Sequence, residues 1–476
     1  MVYRRPFKLT LGLLLFLLLL NYLLLLKLAL AGEITLQTDQ SVPMDTQIQV
    51  PEKKAVQGNQ ESTRSSNLPP DEKTALLLRM KQDQLLRLDA SLEEEEQIMA
   101  SVVQIMDRES AAHWLSSFIS ARPLNCPIKQ QRVWVEAIIQ AAEKNRLPVC
   151  KEILALTAVL VSVESSFQVD PPAVDQSKGE DMRAMLDRAE KELYEKFGPL
   201  MSIPPVPQLY ALYKDKYYPR LVTCHTEGAV EAVARSIADD LKKDAEHLPA
   251  VIRNAINKEV DKLANIVRTK GSMQLNFPRA RQVMQERGER YTDPALTEYM
   301  YTMNGGVDVG VAALRPMFVQ YAARHATPGN LSWLFFVGMD YNYGPFSSRN
   351  MMEQVRIRDL SGRKIAIDGD FLQYDDNGLP IYRESDTLAA ATSVFPATPK
   401  ANFWKAFLLE KDQHYAYTEA HQAIEEAHRE KFGETPFAVI GELWMGETAQ
   451  VKHGHAWKTR AYLNKLDRLL NSIPWD

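Results

Sequence analysis

The sequence of 476 residues has only three cysteines, Cys126, Cys150 and Cys224, and no CxxC or Cys/His grouping, so nothing in it encodes a structural zinc site. In an oxidising compartment two of the three could pair. Cys126 and Cys150 flank one predicted helix and are the candidate disulfide, although connectivity does not follow from a single sequence. Basic excess is also lacking. With 56 Lys and Arg against 61 Asp and Glu, the formal net charge of -5 gives no electrostatic case for nucleic acid, and no helix-turn-helix, zinc finger or RNA-binding strand is present. There is no P-loop, dinucleotide fingerprint or GxSxG, so no cofactor is expected. No internal repeat is evident.

Of the nine histidines, His414, His421 and His428 recur every seven residues. Two helical turns span roughly 10 Å, too far for neighbours to share one metal, so these are expected on a surface face. The segment "HGH" at 453–455 lacks further ligands. "DGDFLQYDDNG" has the acidic look of a calcium loop without its closing glutamate, and turn chemistry explains it better. No metal site is expected.

What is present begins with one long apolar run. "MVYRRPFK" is a basic leader, "LTLGLLLFLLLLNYLLLL" follows, and "ALA" at 29–31 offers the small-x-small pattern of signal cleavage. Residues 1–31 therefore read as a signal peptide or, if uncleaved, a signal anchor contacting the membrane. Export to a bacterial periplasm or cell envelope is the expected localisation. Residues 32–70 are polar and without period, a disordered tether. Leucines at helical spacing mark N-terminal helices over 71–125.

Beyond them the chain is mainly α. "KEILALTAVLVSVESSF" is an almost wholly apolar helix that ends on Glu164. At 3.6 residues per turn Glu164 shares a stripe with Leu156 and Leu160, so its carboxyl leaves from an apolar face. Burial disfavours the charged carboxylate, which is how an acid stays protonated near neutrality. A charged helical stretch fills 173–269, and after 351 Gly/Asp/Asn turns suggest one or two small hairpins before a helical tail.

Four fragments then come in order: "ESSF", "GSMQLNFP", "GVDVGVAAL" and "DYNYGP". Together they resemble the motif set of the lytic transglycosylases with a goose-type-lysozyme-like domain. "ESSF" matches fully. The second keeps Gly271, Met273, Gln274 and Pro278, and the fourth keeps Tyr341, Asn342, Gly344 and Pro345. The third departs by having Gly306 where that family has Asn. The long stretch between Glu164 and Met273 is a second departure.

With that interruption, and with the "DGDFLQYD" segment at 368–375, the chain is more similar to the YaiW-like family of bacterial envelope proteins. Many members of that family look like lipoproteins, whereas this chain has no lipid-attachment cysteine after its apolar run. The resemblance implies a mainly α fold: a lysozyme-like domain in two parts, 126–172 and 270–354. A helical insert over 173–269 interrupts it, and a C-terminal region over 355–476 with small hairpins and helices follows.

The resemblance further implies peptidoglycan glycan strands as substrate, and an envelope protein as a conceivable partner. Glu164 would be the single acid/base, Ser165 and Gln274 would line sugar subsites, Met273 would pack beside the reacting sugar, and Tyr341 and Asn342 would orient acid and substrate. Each has a plainer role as well: a helix-end serine, core methionine and tyrosine, a turn. A non-catalytic glycan- or partner-binding cleft, or a hydrolytic muramidase with Asp170 or Asp175 as second carboxylate, stays open.

Overall fold

The computed structural model describes residues 103–121, 126–174, 181–197, 213–246, 269–325, 332–374, 385–440 and 456–473, with isolated positions beside these runs. The expected leader and tether, most of the N-terminal helices, Asp175 and the 453–455 segment lie outside the described residues. Among the described residues the protein is mainly helical, with one two-stranded antiparallel sheet. None of their helices is long and apolar enough to cross a membrane. They fall into two compact units, one made of those up to Phe167 and from Val307 onward, the other of Gln168–Gly306. The "GSMQ" segment is thereby grouped with the stretch expected to be an insert.

The first unit opens with three mutually packed helices. In α1 (Arg108–Ser120), Asp107 caps the helix by accepting from the Ser110 amide at 2.9 Å, and Leu115, Phe118 and Ile119 face inward. Helix α2 (Gln131–Lys144) buries Trp134, Val135, Ile138 and Ile139 at helical spacing. Helix α3 (Lys151–Ser165) is buried on every side from Ile153 to Ser165, as its nearly unbroken apolar sequence requires.

The second unit follows in the chain. Its core gathers Met182, Met185 and Leu186 of α4 (Met182–Phe197), Leu221 of α5 (Tyr218–Val222), and Val230, Ala234 and Ile237 of α6 (Glu227–Ala245). Asp170 pins the start of α6 by accepting from the Gly228 amide at 2.8 Å. Strands β1 (Thr269–Lys270) and β2 (Leu275–Asn276) pair antiparallel around the Gly271–Gln274 turn, and helices α7 (Phe277–Glu286) and α8 (Asp293–Met300) follow. This hairpin lies well before the hairpins expected after residue 351.

Helix α9 (Met303–His325) leads the chain back into the first unit, which continues with α10 (Ser332–Tyr343) and α11 (Ser347–Ser361). A second core of the first unit gathers Met351 and Ile357 of α11, Leu388 of α12 (Asp386–Val394), Phe403 and Phe407 of α13 (Lys400–Phe407), and Ile424 of α14 (Glu419–Phe432). Helix α15 (Ala456–Leu470) packs on α3 and α10.

Among the described residues after 351, the expected hairpins are represented by a single antiparallel bridge, Tyr374 to Pro380. Side chains organise that loop instead. Gln354 accepts from the Asp368 and Gly369 amides at 3.0 and 2.8 Å, and buried Glu410 accepts from the amides of Phe371 and Leu372 and from the Tyr374 hydroxyl.

Two other expectations are corrected. His414, His421 and His428 are buried rather than on a surface face, and His414 lies on a separate 3-10 turn before α14. Burial is tolerated because each ring meets a carboxylate: Asp412 for His414, Glu353 for His421 at 3.0 Å, and Asp359 for His428 at 3.5 Å. The Cys126–Cys150 pair is not formed, and both are free, buried thiols, as is Cys224.

Candidate functional site

Glu164 is 6% exposed at the last turn of α3, and Leu156 and Leu160 on its stripe are fully buried. The chain leaves the helix abruptly. Ser166 and Phe167 take left-handed φ values of 56° and 59°, a conformation costing roughly 1–2 kcal/mol for each non-glycine residue. The Ser166 amide closes the last turn onto the Ser162 carbonyl at 3.1 Å. Phe167 is buried edge-on against Trp134, with centroids 5.6 Å apart, and burying such a ring returns about 1.5–3 kcal/mol. The aromatic of "ESSF" therefore anchors the turn. Ser165 donates its hydroxyl to the Val161 carbonyl at 3.0 Å, the plainer of its two expected roles.

Two further side chains of the same unit lie in the electric field of Glu164. Burial, reinforced by the Glu164 charge, raises the Tyr341 hydroxyl pKa well above its ordinary value. Burial lowers the Lys465 ammonium pKa while the Glu164 carboxylate pulls the other way. Helices α3, α10 and α15, which carry these three groups, pack together. A carboxyl buried this deeply must be neutral or electrostatically supported, which suits a group that exchanges protons.

The "DYNYGP" segment is held by its first residue. Asp340 is fully buried, accepts from the Tyr321 hydroxyl at 2.5 Å and the Ser348 amide at 2.8 Å, and joins the end of α10 to the start of α11. Burial raises its pKa to about 7 against the opposing hydrogen bonds from Ser348 and Tyr321. Tyr341 and Asn342, both part-buried, occupy the last turn of α10 just before Gly344, whose φ of 140° makes the turn.

In the other unit the "GSMQ" turn is fixed from three sides. Gly271 has φ 73°, and a Cβ there would stand 2.4 Å from the Met300 carbonyl oxygen, so only glycine fits. Met273 is fully buried, its plainer role as core filler. Gln274, at φ 51°, donates through Nε2 to Glu227 Oε2 at 2.8 Å and to the Gly271 carbonyl at 3.1 Å, and accepts from Thr269 Oγ1 at 3.0 Å. Both its amide hydrogens are thus committed within the unit. Beside it, Glu231 forms a buried ion pair with Lys270.

Gly306 is confined by close packing. A Cβ at 306 would lie 2.7 Å from Ser272 Oγ and 2.8 Å from the Met300 carbonyl oxygen. Asp308, two residues on, is structural. It accepts from Lys144 Nζ at 2.9 Å and Asn145 Nδ2 at 3.0 Å.

Of the residues singled out in the sequence, Glu164, Ser165, Tyr341 and Asn342 share one unit, and Met273 and Gln274 belong to the other. Lys465, Asp340 and Glu227 were not singled out. Lys465 is one lysine in a charged tail, and only the docking of α15 distinguishes it. Among the described residues no group of three or more His, Cys, Asp or Glu could hold a metal ion.

The Escherichia coli (strain K12) protein described as "Uncharacterized protein YaiW" is 24% identical over 249 residues, which cover 52% of this chain and 60% of that protein's length. No solved structure matches the chain. A family model described as "Protein of unknown function (DUF1615)" matches residues 127–452, more than half of the sequence, and the chain belongs to that family.

Proposed function

We propose that this protein acts on peptidoglycan glycan strands in the bacterial envelope through a lysozyme-like arrangement, as a lytic transglycosylase with Glu164 as general acid and base. The observation that carries the reading is the burial of Glu164 at the end of an apolar helix with Tyr341 and Lys465 in its field. The order of the "ESSF", "GSMQLNFP" and "DYNYGP" motifs supports it, and the basic, apolar N-terminal segment supports export.

Glu164 gives its proton to the glycosidic oxygen as that bond breaks and the sugar becomes oxocarbenium-like. The carboxylate left behind takes the proton of the same sugar's 6-hydroxyl as its oxygen bonds to the anomeric carbon. The product is a 1,6-anhydro ring, Glu164 ends protonated again, and no water is consumed. One carboxyl suffices.

A second reading, a non-catalytic module that binds glycan or an envelope partner, is favoured by the Ser165 hydroxyl and the Gln274 amide being committed to internal partners. A muramidase using Asp170 is less favoured, because that carboxylate already holds the Gly228 amide. Digestion of purified sacculi with wild type and Glu164→Gln separates the three. Anhydromuropeptides that disappear in the variant support the transglycosylase. Reducing-end products support the muramidase, and no products alongside retained sacculus binding support the binding module.

A further inference from the structure

The turn that follows Tyr341 and Asn342 is held in a shape its residues do not all favour. Gly344 has φ 140°, and Phe346, a bulky residue, takes a left-handed φ of 62°. Such backbone persists only where the surroundings over-determine it. Within the turn, the Gly344 amide donates to the Asp340 carbonyl at 2.9 Å, and Ser347 Oγ donates to the Gly344 carbonyl at 2.8 Å. Phe346 is buried and lies parallel to the Tyr321 ring, with centroids 6.3 Å apart.

Further restraint comes from the C-terminal region. Gly369, at φ 83°, approaches Ser347 so closely that a Cβ there would stand 3.0 Å from the Ser347 carbonyl oxygen and 3.1 Å from Ser347 Cβ. Asn350 Nδ2 fastens the same loop by donating to the Gly369 carbonyl at 3.1 Å. From another segment, the Val439 amide donates to the Ser348 carbonyl at 3.0 Å, and Phe437 meets the Tyr321 ring edge-on at 5.6 Å. Tyr321 and Ser348 both donate to the Asp340 carboxyl. Two separate stretches thus close on one turn.

We infer that the C-terminal region positions Tyr341 and Asn342, Gly369 acting through Ser347 and Gly344, and Phe437 through Tyr321 and Asp340. This rests on the reading of Tyr341 and Asn342 as residues that orient acid and substrate. The coupling is steric. Close-packed groups transmit a displacement rather than absorb it, so a side chain at 369 shifts Ser347 and with it the hydrogen bond that closes the turn.

The test is Gly369→Ala in the full chain, with the Asn342 side-chain amide followed by NMR after asparagine labelling and assigned by its loss in Asn342→Asp. Gly362→Ala is the control, because Gly362 has a similar backbone, φ 65°, with open space where a Cβ would go. It adds backbone strain without the steric push. Gly369→Ala is expected to move the Asn342 resonances and to lower kcat for sacculus digestion about tenfold, with KM within about twofold of wild type. Gly362→Ala should change neither. Resonances that stay in place in Gly369→Ala, or that move as far in Gly362→Ala, overturn the inference, as does an unchanged kcat.

Should Gly369→Ala not fold, Phe437→Leu decides: its Asn342 resonances must move, and fixed ones overturn the inference. If wild type leaves sacculi uncut, the transglycosylase reading fails, while the Asn342 resonances still decide the coupling.

Discussion

Gln274 Nε2 donates to Glu227 Oε2 at 2.8 Å, tying the Gly-Ser-Met-Gln turn to the first turn of α6. The bond joins a residue of a recognisable motif to one from the stretch that interrupts the motif set. The interrupting helices therefore help to define the conformation of that turn.

Removing the acceptor leaves a part-buried amide hydrogen without its partner and a residue at φ 51° less well restrained. Glu227→Ala is expected to destabilise the protein by about 1–2 kcal/mol, and Glu227→Gln, which keeps an acceptor oxygen, by less than half of that. Urea unfolding midpoints measure both. Equal losses in the two variants would show that the hydrogen bond is not what matters.

The neighbouring Lys270–Glu231 pair is more demanding. Both side chains are essentially inaccessible to solvent, and Lys270 Nζ also sits 4.4 Å from the Phe277 ring centroid. Burial lowers the Lys270 pKa while Glu231 opposes the shift. Lys270→Met leaves the buried Glu231 carboxylate with Arg235, 3.2 Å away and part-exposed, as its remaining ion-pair partner among the described residues and is expected to cost roughly 3 kcal/mol, whereas adding Glu231→Leu removes that carboxylate and restores most of it. A double variant no more stable than Lys270→Met alone would refute this.

At Gly306 a side chain is excluded by packing. Gly306→Asn would drive a Cβ against Ser272 Oγ and the Met300 carbonyl, and overpacking of this kind costs about 1–3 kcal/mol. Ser272→Gly should relieve only part of the loss, since the backbone contact remains. A thermal melt in which Gly306→Asn matches wild type would contradict the close approach.

These contacts bear on what a sequence can convey. The helices α2 and α3 were legible because their apolar spacing and the lone acid in "VLVSVESSF" follow from helical geometry alone. The turn at Gly344 was legible because Asn, Gly and Pro in "YNYGP" are the residue types that tolerate its backbone. Helix-period reasoning placed three histidines on a surface. It failed because Glu353, Asp359 and Asp412 reach them from positions the period does not encode. Lys465 and Glu227 were illegible for the same reason: nothing local marks a lysine or a glutamate whose partner arrives from a distant segment.

Long-range burial of carboxyls also governs how stability should vary with pH. Burial raises Asp340 to about 7 from an ordinary 3.8 and Glu410 to about 8 from 4.5. Over that interval the folded state holds protons that the unfolded chain has released. Their contribution is complete below about pH 4 and is lost as pH rises through 7 and 8. Glu353 runs the other way: burial tends to raise it, but His421, Arg356 and the Tyr415 hydroxyl together hold it at about 2. Its contribution is complete above 4.5 and disappears only as pH falls toward 2.

Between pH 5 and 8.5 the Asp340 and Glu410 effects therefore act alone among these three, and stability should decline with pH by on the order of 7 kcal/mol. Asp340→Asn with Glu410→Gln keeps the acceptor oxygens for Ser348, Phe371 and Leu372 and removes the titrating protons. The double variant should flatten the slope and exceed wild type in stability at pH 8.5. Urea midpoints across that range measure it, and a slope as steep in the double variant as in wild type would place the titrating groups elsewhere.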